Sequence, residues 1–237
     1  MAIDPPSIDA AIASQLQRIS FLAYHIEASA VIAAAFSGML AARNKRMDFV
    51  GTYIAAFVSA FGGGTLRDLL LDRRPFFWVN DQEYPILVFV LTIIFIYAPQ
   101  IYIPAQALAK RLFDFVDALG LALFSISGVS YAIAFDMPNF VAVLLGVITG
   151  VFGGVLRDIL LNEIPLIFRT ESSLYATCSF VGCWIFLGGM ALSFNPTTAA
   201  FLGCAVCVIL RLISIQYQLS LPAPRYKAKP RQHDPDI

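Results

Sequence analysis

Residues 61–72 read FGGGTLRDLLLD, and residues 151–162, which begin 90 positions later, read VFGGVLRDILLN. In both stretches, adjacent glycines precede an Arg-Asp pair within otherwise apolar sequence. Glycine is favoured where the backbone needs freedom or a close approach, and charges are costly in apolar surroundings. The doubled stretch therefore predicts a repeated functional element around which the rest of the chain is organised.

The composition of the 237-residue chain indicates a membrane protein. Hydrophobic residues make up 59% of it and charged residues only 14%, which exceeds the apolar content of an ordinary soluble domain. The 16 Lys and Arg residues balance the 16 Asp and Glu residues. Net charge therefore gives no support to a nucleic-acid partner, and we expect none.

Seven apolar runs predict seven transmembrane helices, because about 20 apolar residues are needed to cross the hydrocarbon as a helix. The runs cover residues 19–42, 49–71, 85–103, 113–135, 140–161, 173–193 and 197–217. Lys and Arg cluster at 43–46, at 110–111 and in the tail after 218. The positive-inside rule then predicts an N-terminus outside the cell and a cytoplasmic C-terminus. No basic segment followed by a cleavable apolar run precedes the first span, so we expect no removed signal peptide.

A shift of 90 residues aligns more than the glycines. The matched positions are Glu27 with Asp117, Ser37 with Ser127, Arg67 with Arg157, Asp68 with Asp158, and Pro75 with Pro165. Each repeat holds three spans, and an odd number of spans inserts the second repeat upside down. The predicted fold is an all-α membrane protein with an inverted 3+3 repeat plus a seventh helix, a plan typical of proteins that move solutes.

This register divides the chain into five parts. They are an N-terminal segment (1–18), the first three-helix repeat (19–104), the second, inverted repeat (110–193), the seventh helix (196–217) and a basic cytoplasmic tail (218–237).

The glycine clusters are Gly62, Gly63 and Gly64 in the second span and Gly153 and Gly154 in the fifth. Two interpretations are open: close helix packing by small residues, or a kink that bares backbone carbonyls near the membrane midplane. Bared carbonyls facing water are suitable cation ligands. In the first cluster, Thr65 and Asp68 resemble a capping box that would restart a helix after a break.

The charges in the spans predict two ion pairs, Glu27 with Arg67 and Asp117 with Arg157, one on each side of the glycines. An unpaired charge at that depth would be expensive. These pairs either lock helices together or face a water path and set its field.

Further polar residues lie within the spans or near their ends. We expect interfacial or capping roles for Asp68 and Asp158, and we single out the matched Ser37 and Ser127 as pore candidates. Ser59 and Thr149 more simply bond their own helix backbone. Residues 73–78, RRPFFW, are most simply an anchor at the membrane interface.

No arrangement typical of an enzyme or a metal site is present in the sequence. It holds no P-loop, no nucleophile with a neighbouring base and no dinucleotide fingerprint. His25 and His233 lack partners at metal-ligand spacing. We therefore expect no catalytic residue, no cofactor and no bound metal.

The doubled Gly-Gly-x-x-Arg-Asp motif, the RRPFFW run and the seventh helix resemble the trimeric intracellular cation (TRIC) channel family, in its prokaryotic branch. That branch is also described as a glycine-transporter-like membrane family, and the resemblance covers about residues 20–217. It implies a homotrimer in a prokaryotic inner or plasma membrane, in contact with lipid. Each protomer would hold its own pore for K⁺ and Na⁺, lined by helices kinked at the glycine clusters. The second cluster has Val155 in place of a third glycine, which implies a milder kink.

Three functions remain open at this point. The first is a passive monovalent cation channel, and the second is a secondary transporter of a small zwitterion such as glycine. The third is a scaffold or lipid-binding membrane protein without transport.

Overall fold

The described part of the chain is entirely helical. The computed structural model describes residues 8–97, 106–168 and 174–219. Its α-helices are α1 (Ile8–Asn44), α2 (Phe49–Leu70), α3 (Phe77–Asn80), α4 (Glu83–Tyr97), α5 (Gln106–Ala134), α6 (Asn139–Leu160), α7 (Tyr175–Ala191) and α8 (Pro196–Tyr217). A short 3-10 helix spans Leu166–Phe168.

Five of these helices are long and apolar enough to cross a membrane. They are α2, α6, α8 and the apolar parts of α1 (Ile26–Asn44) and α5 (Leu108–Ala134). Helices α4 and α7 are also apolar but have only 15 and 17 residues. At a rise of about 1.5 Å per residue, the described part of each is shorter than a hydrocarbon core of about 30 Å. The chain is therefore an all-helical membrane protein.

The helices differ from the sequence prediction in two places within the described residues. Helix α1 begins at Ile8, well before the predicted first span, because hydropathy marks the membrane-crossing part and not the first helical turn. The third span is predicted to reach residue 103; α4 is described as far as Tyr97, and residues 98–105 lie outside the described ranges. Helix α3 was not predicted, since four residues carry no periodic pattern. Of the predicted basic tail, all residues after 219 lie outside the described part.

Shortly after each of several helices, a polar residue adopts the left-handed backbone conformation. Arg46 and Asp136 follow α1 and α5, and Asp72 and Asn162 follow α2 and α6, all with φ between 51° and 55°. Asp and Asn tolerate this conformation better than most non-glycine residues. Within each pair the residues are 90 positions apart, so the repeat extends to the way its helices end.

Helices α1, α2, α5 and α6 form the centre of the molecule. Helix α1 contacts both α2 and α5, and α6 contacts the same two helices. Helix α4 packs against α1 and α2, whereas α7 and α8 pack against each other and against α5. This arrangement brings the two glycine-containing helices, α2 and α6, side by side.

Candidate functional site

Helices α2 and α6 touch at their glycines. A β-carbon added at Gly63 would lie 2.0 Å from the carbonyl oxygen of Thr149, and one added at Gly153 would lie 2.3 Å from the carbonyl oxygen of Ser59. Atoms cannot approach so closely, so both positions require glycine. Ser59 and Thr149 are themselves 90 residues apart, and the two contacts are therefore reciprocal.

Both helices run through their glycine clusters without a break. Of the two interpretations of the glycines, the structure displays close packing. The predicted capping box is wrong, because no new helix starts at Thr65. Its hydroxyl donates instead to the carbonyl oxygen of Phe61, 2.7 Å away within the same helix.

Arg67 lies at the centre of the first charge cluster and is fully buried. Its Nη1 lies 2.6 Å from Oε1 of Glu27 and 3.2 Å from the Ser127 hydroxyl. Its Nε donates to Oδ1 of Asp68 at 2.8 Å. The guanidinium carbon also lies 4.2 Å from the ring centroid of Tyr131. The ion pair between Glu27 and Arg67 that the sequence predicts is thus present, with a second carboxylate beside it.

Arg157 lies at the centre of the second cluster and is also fully buried. Its Nη1 donates to Oδ1 of Asp117 at 2.8 Å and to the Ser37 hydroxyl at 2.5 Å. Its Nε donates to Oδ1 of Asp158 at 2.8 Å. Ser37 in turn donates to Oδ1 of Asp117 at 3.0 Å. The predicted pair between Asp117 and Arg157 is therefore present in a network of the same design.

Each cluster takes its serine from the other repeat. Ser37 lies in the first repeat but bonds Arg157, and Ser127 lies in the second but bonds Arg67. Hydrogen bonds to charged groups are stronger than neutral ones, and these four residues are almost completely buried. The serines therefore tie the two repeats together through their arginines.

Asp68 and Asp158, for which interfacial or capping roles are predicted, have their side chains inside the protein. Both are buried, because the chain after each helix folds back onto it. Oδ2 of Asp68 accepts a hydrogen bond of 2.8 Å from the backbone N–H of Phe77, and Oδ2 of Asp158 accepts one of 3.0 Å from that of Leu166. Each aspartate thus joins its arginine to the start of the next short helix, so the capping part of the prediction agrees with the structure.

The RRPFFW run packs partly inside the protein. Phe77 is fully buried, and the indole N–H of Trp78 donates to the Thr65 hydroxyl at 2.9 Å. Arg73 reaches Oδ1 of Asp68 at 3.4 Å. The hydrogen bond that the backbone N–H of Phe77 donates to Asp68 holds the segment against α2.

A small polar cavity lies beside the glycine crossing, on the Arg157 side. The space open to the centre of a water molecule is about 20 Å³, which is enough for about one water. The polar residues that line it are Ser37, Ser59, Asp117, Thr149, Arg157 and Tyr175. The Ser59 hydroxyl is buried there with no hydrogen-bond partner among the described residues. Thr149, in contrast, donates to the carbonyl oxygen of Leu145 at 2.6 Å, as expected for a residue that bonds its own helix.

Three polar residues at the site were not predicted. The Tyr131 hydroxyl donates to Oε2 of Glu27 at 3.1 Å, and Tyr175 lines the cavity. Neither has a matching residue 90 positions earlier, where Ala41 and Pro85 stand, so the repeat gave no signal for them. Arg211 is buried with its guanidinium carbon 4.6 Å from the Tyr175 ring centroid. A lone arginine within the apolar run of α8 was the signal that could have found it.

Comparison with known proteins places this fold and site in one family. A family model described as "Glycine transporter" matches residues 24–100 and 114–191, and each match falls within one of the two predicted repeats. The UPF0126 inner membrane protein YadS of Escherichia coli K12 is 38% identical over 85% of this chain and 95% of its own. A UPF0126 membrane protein of Vibrio cholerae is 35% identical over 85% of this chain and 82% of its own.

Solved structures agree with the sequence relatives. The TRIC trimeric intracellular cation channel orthologue from Rhodobacter sphaeroides is 31% identical, with a TM-score of 0.75 over 83% of this chain and 98% of its own. A prokaryotic TRIC channel crystallised in 0.5 M KCl is 26% identical, with a TM-score of 0.75 over 85% of this chain and all of its own. This chain therefore belongs to the TRIC channel family, in the prokaryotic branch that the family model describes as glycine transporters.

Proposed function

We propose that this protein is a passive channel for the monovalent cations K⁺ and Na⁺, with the pore of each protomer between α2 and α6. The observation that carries the proposal is the polar cavity beside the glycine crossing of these two helices. Its wall combines a carboxylate, a guanidinium and hydroxyl groups, and such a mixture suits partly hydrated ions. The solved structures that resemble this protein are named as cation channels.

Ions would pass the crossing where glycines leave the backbone uncovered. The carbonyl oxygens of Ser59 and Thr149 point at the glycine of the opposite helix. A cavity with room for about one water is too narrow for a hydrated ion, so conduction requires the helices to separate. Bending at Gly62–Gly64 and at Gly153–Gly154 would supply that movement and turn the two carbonyls toward the path.

The arginine clusters would set the field along the path. Arg157 and Asp117 both line the cavity, so a passing ion meets a fixed positive and a fixed negative group. Repulsion by an arginine scales with the charge of the ion, so it disfavours divalent cations more than monovalent ones. On this basis we assign Glu27, Arg67, Asp117 and Arg157 to the gate, with Asp68 and Asp158 holding the arginines in place. Ser37 and Ser127 complete the clusters.

The membrane arrangement that we propose has seven spans in an inverted 3+3 repeat plus a seventh helix. The reciprocal contacts between α2 and α6, and the exchange of serines between the two clusters, support the inversion. The positive-inside rule favours an N-terminus outside and a C-terminus in the cytoplasm. A reporter fused after residue 237 is then active only in a cytoplasmic assay, and activity only outside would reverse the orientation.

A homotrimer is the assembly that the relatives support. The Rhodobacter sphaeroides orthologue is described as trimeric, and it covers 83% of this chain. We accordingly propose three protomers, each with its own pore and each in contact with membrane lipid. Cross-linking of the purified protein in detergent should yield a ladder that ends at the trimer.

A glycine transporter is the second candidate, because the family model carries that description. The cavity also pairs a guanidinium with a carboxylate, which would suit a zwitterion. The two functions separate in proteoliposomes. K⁺ release that rises linearly with the gradient, without saturable uptake of labelled glycine, supports the channel. Saturable, electrically silent glycine uptake without K⁺ release would establish the transporter.

A further inference from the structure

The two charge clusters match in their ion pairs but differ in what covers them. Gly64 and Gly154 are equivalent positions, each three residues before its arginine. A β-carbon added at Gly64 would lie 2.3 Å from the ring of Phe77. At Gly154 the nearest atoms are the Tyr175 hydroxyl at 3.4 Å and Nη2 of Arg157 at 3.6 Å. An aromatic ring therefore covers the first glycine, whereas the second faces the cavity.

The Phe77 ring is held firmly over Gly64. Its backbone N–H donates to Asp68, and its ring centroid lies 5.8 Å from those of Phe61 and Tyr84. The guanidinium carbon of Arg67 lies 5.2 Å from the same ring. The absence of a side chain at Gly64 is what makes room for the ring, since any β-carbon there would overlap it.

The equivalent segment in the second repeat does not cover Gly154, which lines the cavity. Position 167, 90 residues after Phe77, holds Ile167, which is only partly buried. There the aspartate bond is made one residue earlier, by Leu166. None of the atoms nearest to a β-carbon at Gly154 belongs to Ile167. The cavity accordingly reaches Gly154 and Arg157, but its lining includes neither Gly64 nor Arg67.

We propose that Phe77 is the side chain that closes the Arg67 half of the pore, while the Arg157 half stays open to water. This inference rests on the proposed channel function. Conduction then requires the ring to leave Gly64, and the bond between Asp68 and the backbone of Phe77 favours the closed position. One residue of the RRPFFW run thereby makes a nearly symmetric pair of half-pores unequal.

Ion flux tests this inference directly. In proteoliposomes, Phe77→Ala should raise K⁺ release about tenfold, because loss of one ring's packing shifts the balance of closed and open states. Phe77→Leu, which keeps an apolar side chain and is safer for folding, should give an intermediate rise. The matched control is Ile167→Ala at the equivalent position, which should leave flux unchanged. Equal flux from wild type and both Phe77 variants, with unchanged thermal unfolding, would overturn the proposal.

Thiol labelling tests the same inference without depending on conduction. Ser59→Cys is introduced after replacement of the four native cysteines, and an impermeant thiol reagent is added separately to each face of oriented membrane vesicles. With Phe77 present, we expect labelling from one face only, and with Phe77→Ala from both faces. Labelling from both faces while Phe77 is present would contradict the closure. If vesicles that carry Ser59→Cys with Phe77 present show this one-sided pattern but no K⁺ release, the channel function fails and the closure stands.

Discussion

A β-carbon at Gly63 or Gly153 would overlap a backbone carbonyl oxygen of the neighbouring helix, at 2.0 Å and 2.3 Å respectively. Backbone cannot move aside as a flexible side chain can, so we expect Gly63→Ala and Gly153→Ala each to destabilise the protein by about 1–3 kcal/mol or more. Thermal unfolding in detergent measures this effect.

The matched control for these substitutions is Gly188→Ala. Gly188 is an exposed glycine of α7, and a β-carbon there meets nothing within 4 Å. Because alanine is the better helix former, we expect this variant to be unchanged or more stable by up to about 1 kcal/mol. Equal melting temperatures for all three variants would mean that α2 and α6 are not in close contact.

The buried arginines should matter far more than the surface ion pairs. Arg67→Ala leaves the carboxylates of Glu27 and Asp68 buried without their partner, at an expected cost of about 3–5 kcal/mol. The control is Lys45→Ala, which breaks an ion pair whose side chains are 40% and 41% exposed and should cost about 0–1 kcal/mol. Denaturation of the purified variants distinguishes the two costs, and similar costs would contradict the buried pairing.

For individual residues of the site, the 90-residue repeat was the most useful basis for prediction. A constant shift of 90 residues identified both ion pairs and both serines, because each position had a counterpart of the same chemistry. The burial of Phe77 was not predicted, because it depends on one bond between its backbone and Asp68 that no sequence pattern records. Tyr131, Tyr175 and Arg211 have no repeated counterpart and were missed for that reason.

Helices α1 and α6 are joined by Ser37 and Arg157, and α5 and α2 by Ser127 and Arg67. These cross-links can be measured by double-mutant cycles. Ser37→Ala combined with Arg157→Ala should show a coupling energy of about 0.5–3 kcal/mol, because the two residues share one network. Ser37→Ala combined with Arg67→Ala should be additive within about 0.5 kcal/mol. Coupling of equal size in both cycles would show that the serines do not act through separate clusters.

The long helices could be predicted from the sequence because an apolar run of sufficient length has few alternatives in a membrane. Helix starts and short helices were predicted less well, because hydrogen bonds rather than hydropathy determine them. The start of α1 at Ile8 and the four-residue helix α3 are examples. The break expected beside Thr65 is another, since adjacent glycines are equally compatible with a kink and with the close packing observed.

The arrangement of the whole molecule follows from these contacts. Glycines bring α2 and α6 together in the centre, and two buried arginine clusters flank their crossing, each completed by the opposite repeat. A polar cavity lies beside Gly154, whereas the Phe77 ring covers Gly64. The matched pairs could be predicted from the register, but this inequality could not, because it arises from which side chain packs over each glycine.

The central claim is that this arrangement conducts monovalent cations, and a planar bilayer under a KCl gradient tests it most directly. We predict unitary currents that reverse close to the equilibrium potential of K⁺, with conductance or open probability altered by Arg157→Ala. Persistence of unchanged currents in that variant, with only its thermal stability lowered, would limit the arginine clusters to a structural role. The absence of unitary currents from folded wild-type protein, or reversal at the equilibrium potential of Cl⁻, would contradict the account.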